Sequence, residues 1–135
     1  IAWVFGVNGN NFIKTMLRLG KERGAVCVVD DQIGSPTYTY DLSKLVVDMI
    51  QTDKYGIYHA TNEGLCSWYE FACEIFKQAG MSVEVTPVDS NAFPAKAKRP
   101  NNSRMSKAML DKNGFEHLPT WQDALSRYLK EISYK

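Results

Sequence analysis

Two stretches of this sequence carry side chains suited to chemistry. The first, "DDQIGSPTYTYD" from Asp30 to Asp41, sets hydrogen-bonding groups and turn residues between an apolar segment ending at Val29 and an amphipathic one beginning near Asp41. In an open α/β sheet, ligands bind where strands end and helices begin. Gly34 lets backbone approach a ligand closely, while Gln32, Ser35 and Thr37 offer donors and acceptors. The same residue types also make an ordinary turn with a solvated acidic corner at Asp30 and Asp31, and on composition alone that is the simpler reading. A metal at the aspartate pair has no further acidic ligand near in sequence, so no metal site is expected.

The second stretch, "KAKRPNNSR", gathers Lys96, Lys98, Arg99 and Arg104 around the stiff Pro100. An arginine fork can meet the oxygens of a diphosphate in bidentate fashion. The plain alternative is a solvated basic loop. Neither His59 nor His117 has a Ser, Cys or carboxylate at a catalytic spacing, and both read as structural. Tyr40 and Lys44 satisfy a bare Tyr-x-x-x-Lys pattern, but they fall in a loop and helix start rather than in the setting that pattern needs. No catalytic set is visible.

The elements that must position these residues follow from periodicity. "IAWVF" is a continuous apolar run ended by Gly6, which fits a strand covered on both faces. Gly6-Val7-Asn8-Gly9 then turns into a helix that Asn10 or Asn11 can cap. A dinucleotide site at this turn is a poor match, because no third glycine follows and Asn11 and Phe12 stand where close backbone approach would be required. Further along, a strand ends at Val29, and a helix with Asp41 as N-cap carries Leu42, Leu45, Val46, Met49 and Ile50 at helical spacing. "YGIYHAT" reads as a short strand. Ser67 and Glu70 form a capping box for a helix that Gly80 ends, with Cys73 on its core side. "VEVTPV" is a strand, "AFPAKAKRPNNS" a long loop, Ser106 caps a short helix to Asn113, and Thr120 caps a last helix with an apolar stripe from Trp121 to Ile132. Strands alternating with helices give an α/β class with a few mostly parallel strands and flanking helices.

The bulk properties exclude several partners. The chain has 135 residues, 44% of them hydrophobic, and a formal net charge of +1. Near-zero net charge does not call for nucleic acid, and no apolar run is long enough to span a membrane. Three cysteines without CxxC spacing read as reduced thiols in a cytoplasmic protein. The first strand is too apolar for an edge, so its sheet partners are expected upstream, outside this sequence.

Taken in order, "WVFGVNGNNFIKTMLRL", "VVDDQIGSPTYTYDL" and "KRPNNSRMSKAML" resemble the C-terminal part of the dTDP-4-dehydrorhamnose reductases, which belong to the Rossmann-like extended short-chain dehydrogenase/reductase group. The resemblance implies that residues 1–135 are the substrate-binding portion, that the NADPH-binding half and the Tyr/Lys pair lie upstream, and that this portion alone has no turnover. It implies a dTDP-sugar as substrate, NADPH as cofactor of the intact enzyme only, and a possible homo-oligomer. By the same resemblance Trp3 lies against the sugar pocket, Asn11 opens the helix beside the nucleotide, and Gln32, Gly34, Ser35, Pro36 and Thr37 flank the substrate. Arg99 becomes the diphosphate ligand. Relatives often read Thr-Ser where this chain has Ile1-Ala2, which removes a hydroxyl near the nicotinamide. Two other readings keep part of this pattern: a binding subunit like the regulatory subunit of methionine adenosyltransferase, and a sugar-nucleotide epimerase or dehydratase.

Overall fold

Six short strands pair two by two, and the helices between them supply most of the core. The computed structural model describes residues 1–134. Along the chain run β1 (Val4–Phe5), α1 (Phe12–Arg23), β2 (Ala25–Val29), β3 (Ile33–Gly34), β4 (Thr37–Tyr38), α2 (Thr39–Ile50), β5 (Cys66–Ser67), α3 (Trp68–Gln78), β6 (Glu84–Val88), α4 (Ala108–Asn113) and α5 (Trp121–Glu131). β1 pairs with β4 and β2 with β6, both parallel; β3 and β5 are antiparallel. This is the expected α/β class with mostly parallel pairing.

Local signals account for the helix starts. Asn11 caps α1, its side chain accepting from Lys14 N–H at 3.0 Å. Ser67 and Glu70 form the reciprocal capping box of α3, and Thr120 caps α5. The apolar stripes of α1, α3 and α5 meet around Phe5, Phe71, Leu125 and Tyr128. Tyr128 is fully buried, yet its hydroxyl has partners: it donates to the Gly6 carbonyl at 3.0 Å and accepts from Asn11 Nδ2 at 2.9 Å. A smaller cluster of Leu45, Ala60, Leu110 and Leu118 joins α2 to α4.

Several expectations differ from the structure. The first strand is only two residues long, Val4–Phe5, and pairs in parallel with β4. Trp3 holds a left-handed φ of 49°, which breaks the run before it can extend. Residues 55–61 form no strand; Tyr55 and Ile57 stand out to solvent. Cys73 is half-buried rather than core, whereas Cys66 is buried and its thiol is pushed up to about 12, mainly by desolvation. Only Leu45 of the α2 apolar stripe is buried; Val46 and Ile50 are exposed. α4 begins after Lys107 without a side-chain cap, so Ser106 does not fill that role.

Asp41 is not the N-cap of α2. The helix begins two residues earlier, and the Asp41 side chain turns inward to Arg127 of α5, meeting its Nη1 and Nη2 at 2.8 and 2.7 Å. Asn62 donates to the same carboxylate at 2.8 Å and to the Pro119 carbonyl at 2.9 Å, while its Oδ1 accepts from Tyr38 N–H at 2.8 Å. One ion pair, buried on its Asp41 side and half-buried on its Arg127 side, and one buried amide thus lock β4, α2 and α5 together. Asp41→Ala leaves part of this network unpaired and is expected to lower unfolding free energy by about 3 kcal/mol. Denaturant titration of Asp41→Ala, Arg127→Ala and the double variant checks this. The double variant should lose less than the sum of the singles.

Candidate functional site

A cleft of about 900 Å³ opens between the α1 and β2 layer and the loop that follows β6. Gln32, Phe12 and Trp68 line one side; Phe93, Lys96 and Arg99 line the other. Apolar rings with a few polar and cationic groups are the usual make-up of a site for a small organic anion.

The aromatic side is built by the start of α3. Ser67 N–H donates to Glu70 Oε2 at 2.8 Å, Glu70 N–H donates back to Ser67 Oγ at 3.0 Å, and Ser67 Oγ donates to Asp30 Oδ1 at 2.5 Å. These bonds fix where Trp68 leaves the backbone. Its indole then stacks on Trp3 with ring centroids 3.8 Å apart and planes 18° from parallel, and Phe12 packs 4.7 Å from it. Such pairs add stability beyond the area they bury. Gln32 is buried, and its side-chain amide has no hydrogen-bond partner among the described residues, although it lines the cleft.

The structure brings Gln32 and Arg99 of the sequence-derived residues to one cleft. It puts the others beneath or beside it. Trp3 reaches the cleft only through its stack on Trp68. Gly34 passes under the Trp3 indole so closely that a Cβ there would lie 2.9 Å from it. Ser35 Oγ donates to the Gly64 carbonyl at 2.5 Å, Thr37 Oγ1 donates to the Ala2 carbonyl at 2.6 Å, and Pro36 is fully buried. Asn11 spends its side chain on the α1 cap, on Tyr128 and on the Gly6 carbonyl. Trp68 and Phe12 pack against the core and line the cleft as well, and Phe93 joins them there. An aromatic residue standing alone in a polar loop was the available signal for Phe93.

Tyr40 and Lys44 pack against each other on the exposed face of α2, with the ammonium 4.6 Å from the ring centre, and neither lines the cleft. His117 sits in a shallower depression, with Nδ1 2.9 Å from Glu63 Oε1 and Nε2 2.6 Å from Asp111 Oδ1. The Asp111 hydrogen bond chiefly raises its pKa, with Glu63 adding to it. Burial by itself would raise the Glu63 carboxyl, but Lys107 at 2.8 Å, aided by His117, carries it below its ordinary value. These charges satisfy one another, as a structural histidine requires.

The description of the RmlD substrate binding domain matches residues 1–134. The chain belongs to this family. It is 40% identical to the spore coat polysaccharide biosynthesis protein SpsK of Bacillus subtilis, over 98% of this chain and 46% of that protein. It is also 40% identical to a dTDP-4-dehydrorhamnose reductase of Aggregatibacter actinomycetemcomitans, over 92% and 46%. A crystal structure of dTDP-4-dehydrorhamnose reductase from Bacillus anthracis in complex with NADP superposes with a TM-score of 0.93 at 50% identity, over 96% of this chain and 46% of that one. The chain therefore spans about half the length of these relatives.

In this RmlD substrate-binding domain the helix start after the turn at residues 6–9 carries its own side-chain cap. The Asn11 side chain already fills the start of α1, and the Lys14 ammonium folds back onto the Val7 and Gly9 carbonyls. No described helix is long and apolar enough to cross a membrane. The close pass of Gly34 beneath Trp3 has a measurable consequence. Gly34→Ala must displace the Trp3 indole and so disturb its stack on Trp68, and it is expected to cost about 2 kcal/mol of stability and to change the near-ultraviolet dichroism of the tryptophans. An unaltered spectrum and melting curve would show that the stack tolerates the extra methyl.

Proposed function

We propose that this chain is the sugar-nucleotide-binding portion of a dTDP-4-dehydrorhamnose reductase. In this reading the whole protein reduces the 4-keto group of dTDP-4-dehydro-L-rhamnose to give dTDP-L-rhamnose. NADPH supplies the hydride and is held mainly by the rest of the protein, a reading supported by the capped helix start after the turn at residues 6–9. A cytoplasmic setting suits the three free cysteines.

The observation that carries the reading is the make-up of the cleft. Trp68 and Phe12 on one side and Phe93 on the other offer faces on which a thymine ring can stack, Gln32 presents an uncommitted amide, and Arg99 and Lys96 stand beside Phe93. A dTDP-sugar has the matching sequence of parts: a flat base, a diphosphate carrying negative charge, and a sugar. The names of the relatives favour reduction over the adenosyltransferase-subunit and epimerase readings. This chain binds and orients; the proton donor to the developing alkoxide comes from elsewhere in the protein.

In the full-length protein, Arg99→Ala is expected to weaken dTDP binding by about 2 kcal/mol and to leave NADPH affinity unchanged, because a charge-assisted fork to the diphosphate is lost. Arg99→Lys should recover only part of the loss. Titration calorimetry with dTDP and dTDP-rhamnose checks both. If both variants bind as the parent does, Arg99 is not the diphosphate ligand.

A further inference from the structure

The loop over the cleft is tethered at both ends to one short segment, Asp30 to Gly34. At the near end, β6 stops at Val88, whose carbonyl accepts from Asp30 N–H at 2.8 Å. The Asp89 carboxylate then caps a single 3-10 turn, Ser90–Ala92. Asp31 Oδ2 accepts from Ser90 N–H at 3.0 Å and from Ser90 Oγ at 2.7 Å. At the far end, Ile33 N–H donates to the Asn101 carbonyl at 2.9 Å, and Ser103 N–H donates to the Ile33 carbonyl at 2.8 Å. Between these tethers, Pro94 to Pro100 make no hydrogen bond among the described residues. The span is a strap carrying Lys96, Lys98 and Arg99 across the cleft.

The two tethers differ in kind. The far one is backbone to backbone and does not depend on any side chain. The near one rests on a carboxylate and a hydroxyl. Asp31 Oδ1 is shut off from solvent and has no partner on another residue, so Ser90 is this carboxylate's one attachment. We propose that Asp31 is a positioning residue which, through Ser90, holds the basic strap over the cleft and so aims Arg99 at a bound diphosphate. The hydrogen bonds from the Ser90 backbone and then its hydroxyl keep the Asp31 carboxyl below its ordinary pKa, which leaves it a charged acceptor at neutral pH. Gln32 lies between the two tethers as a fixed point on the cleft floor. The acidic corner is therefore the hinge pin of the roof and is not merely a solvated turn. The identity of the ligand rests on the sugar-nucleotide reading above; the latch itself does not.

The test uses the full-length protein and two readouts. Limited trypsin digestion, followed by mass spectrometry at Lys96–Ala97 and Lys98–Arg99, reports how often the strap opens without ligand. Asp31→Ala should be cut about tenfold faster at these bonds, Asp31→Asn, which retains an acceptor oxygen, should stay near the parental rate, and Ser90→Ala should fall between. Calorimetry supplies the second readout: Asp31→Ala should weaken dTDP by about tenfold and thymidine by less than about twofold, since only the former meets the strap's cations. Cleavage of Asp31→Ala at the parental rate, or equal loss of dTDP and thymidine, would overturn the proposal. If Asp31→Ala does not fold, Ser90→Ala decides: faster strap cleavage supports the latch and a parental rate contradicts it. Failure of the unaltered protein to bind dTDP would sink the sugar-nucleotide reading instead, with the latch then judged by cleavage alone.

Discussion

From Asp30 to Gly34, four of five consecutive residues are fixed to separate parts of the chain, and the fifth, Gln32, is thereby held facing the cleft. Asp30 takes the hydroxyl of the Ser67 cap and so fixes the start of α3. Asp31 and Ile33 hold the two ends of the strap, Gln32 faces the cleft, and Gly34 lets the Trp3 indole lie down on the backbone. Because side chains alternate along an extended segment, a shift of one residue would exchange these tasks. The antiparallel pairing of Ile33 with Ser67 and of Gly34 with Cys66 prevents that shift.

The floor and the roof of the cleft obey different physics. On the floor, Trp3, Trp68 and Phe12 form a stack that continues through Phe71 into the main core, with Phe12 and Phe71 centred 5.5 Å apart. A surface joined to the core in this way is ordered before a ligand arrives, which lowers the entropic cost of binding. Across from it, the strap makes no hydrogen bond among the described residues and carries the cations. A base can thus meet a rigid plane while a diphosphate meets a segment held mainly at its ends. Trp3 keeps a left-handed backbone to reach the stack, a conformation that costs about 1 kcal/mol or more and that the Thr37 N–H bond to its carbonyl helps to hold.

What was legible in the sequence was local. Asn11, the Ser67 and Glu70 box and Thr120 act on residues within one turn, and each caps the helix that its spacing indicates. The α5 stripe is buried from Trp121 to Leu129 as periodicity requires, with Ile132 half-buried at the helix end. Asp41 also looked like a cap, but its partner Arg127 lies 86 residues away, and no local rule sees it. Ser35 and Thr37 are alike: their hydroxyls read as free for a ligand until the fold brings the Gly64 and Ala2 carbonyls to them. Trp68 packs against the core and also lines the cleft, and helical spacing cannot tell these two positions apart. Gln32 and Arg99 could be found because their chemistry, a hydrogen-bonding amide and a bidentate cation, suits a ligand wherever the backbone carries them.

The central claim is that the cleft beneath the strap receives the nucleotide end of a dTDP-sugar. A crystal structure of the full-length protein with dTDP tests this most directly. The account predicts thymine against Trp68 or Phe93 and the diphosphate within hydrogen-bonding reach of Arg99. Density for dTDP elsewhere on the protein, with the cleft holding only solvent, would contradict it.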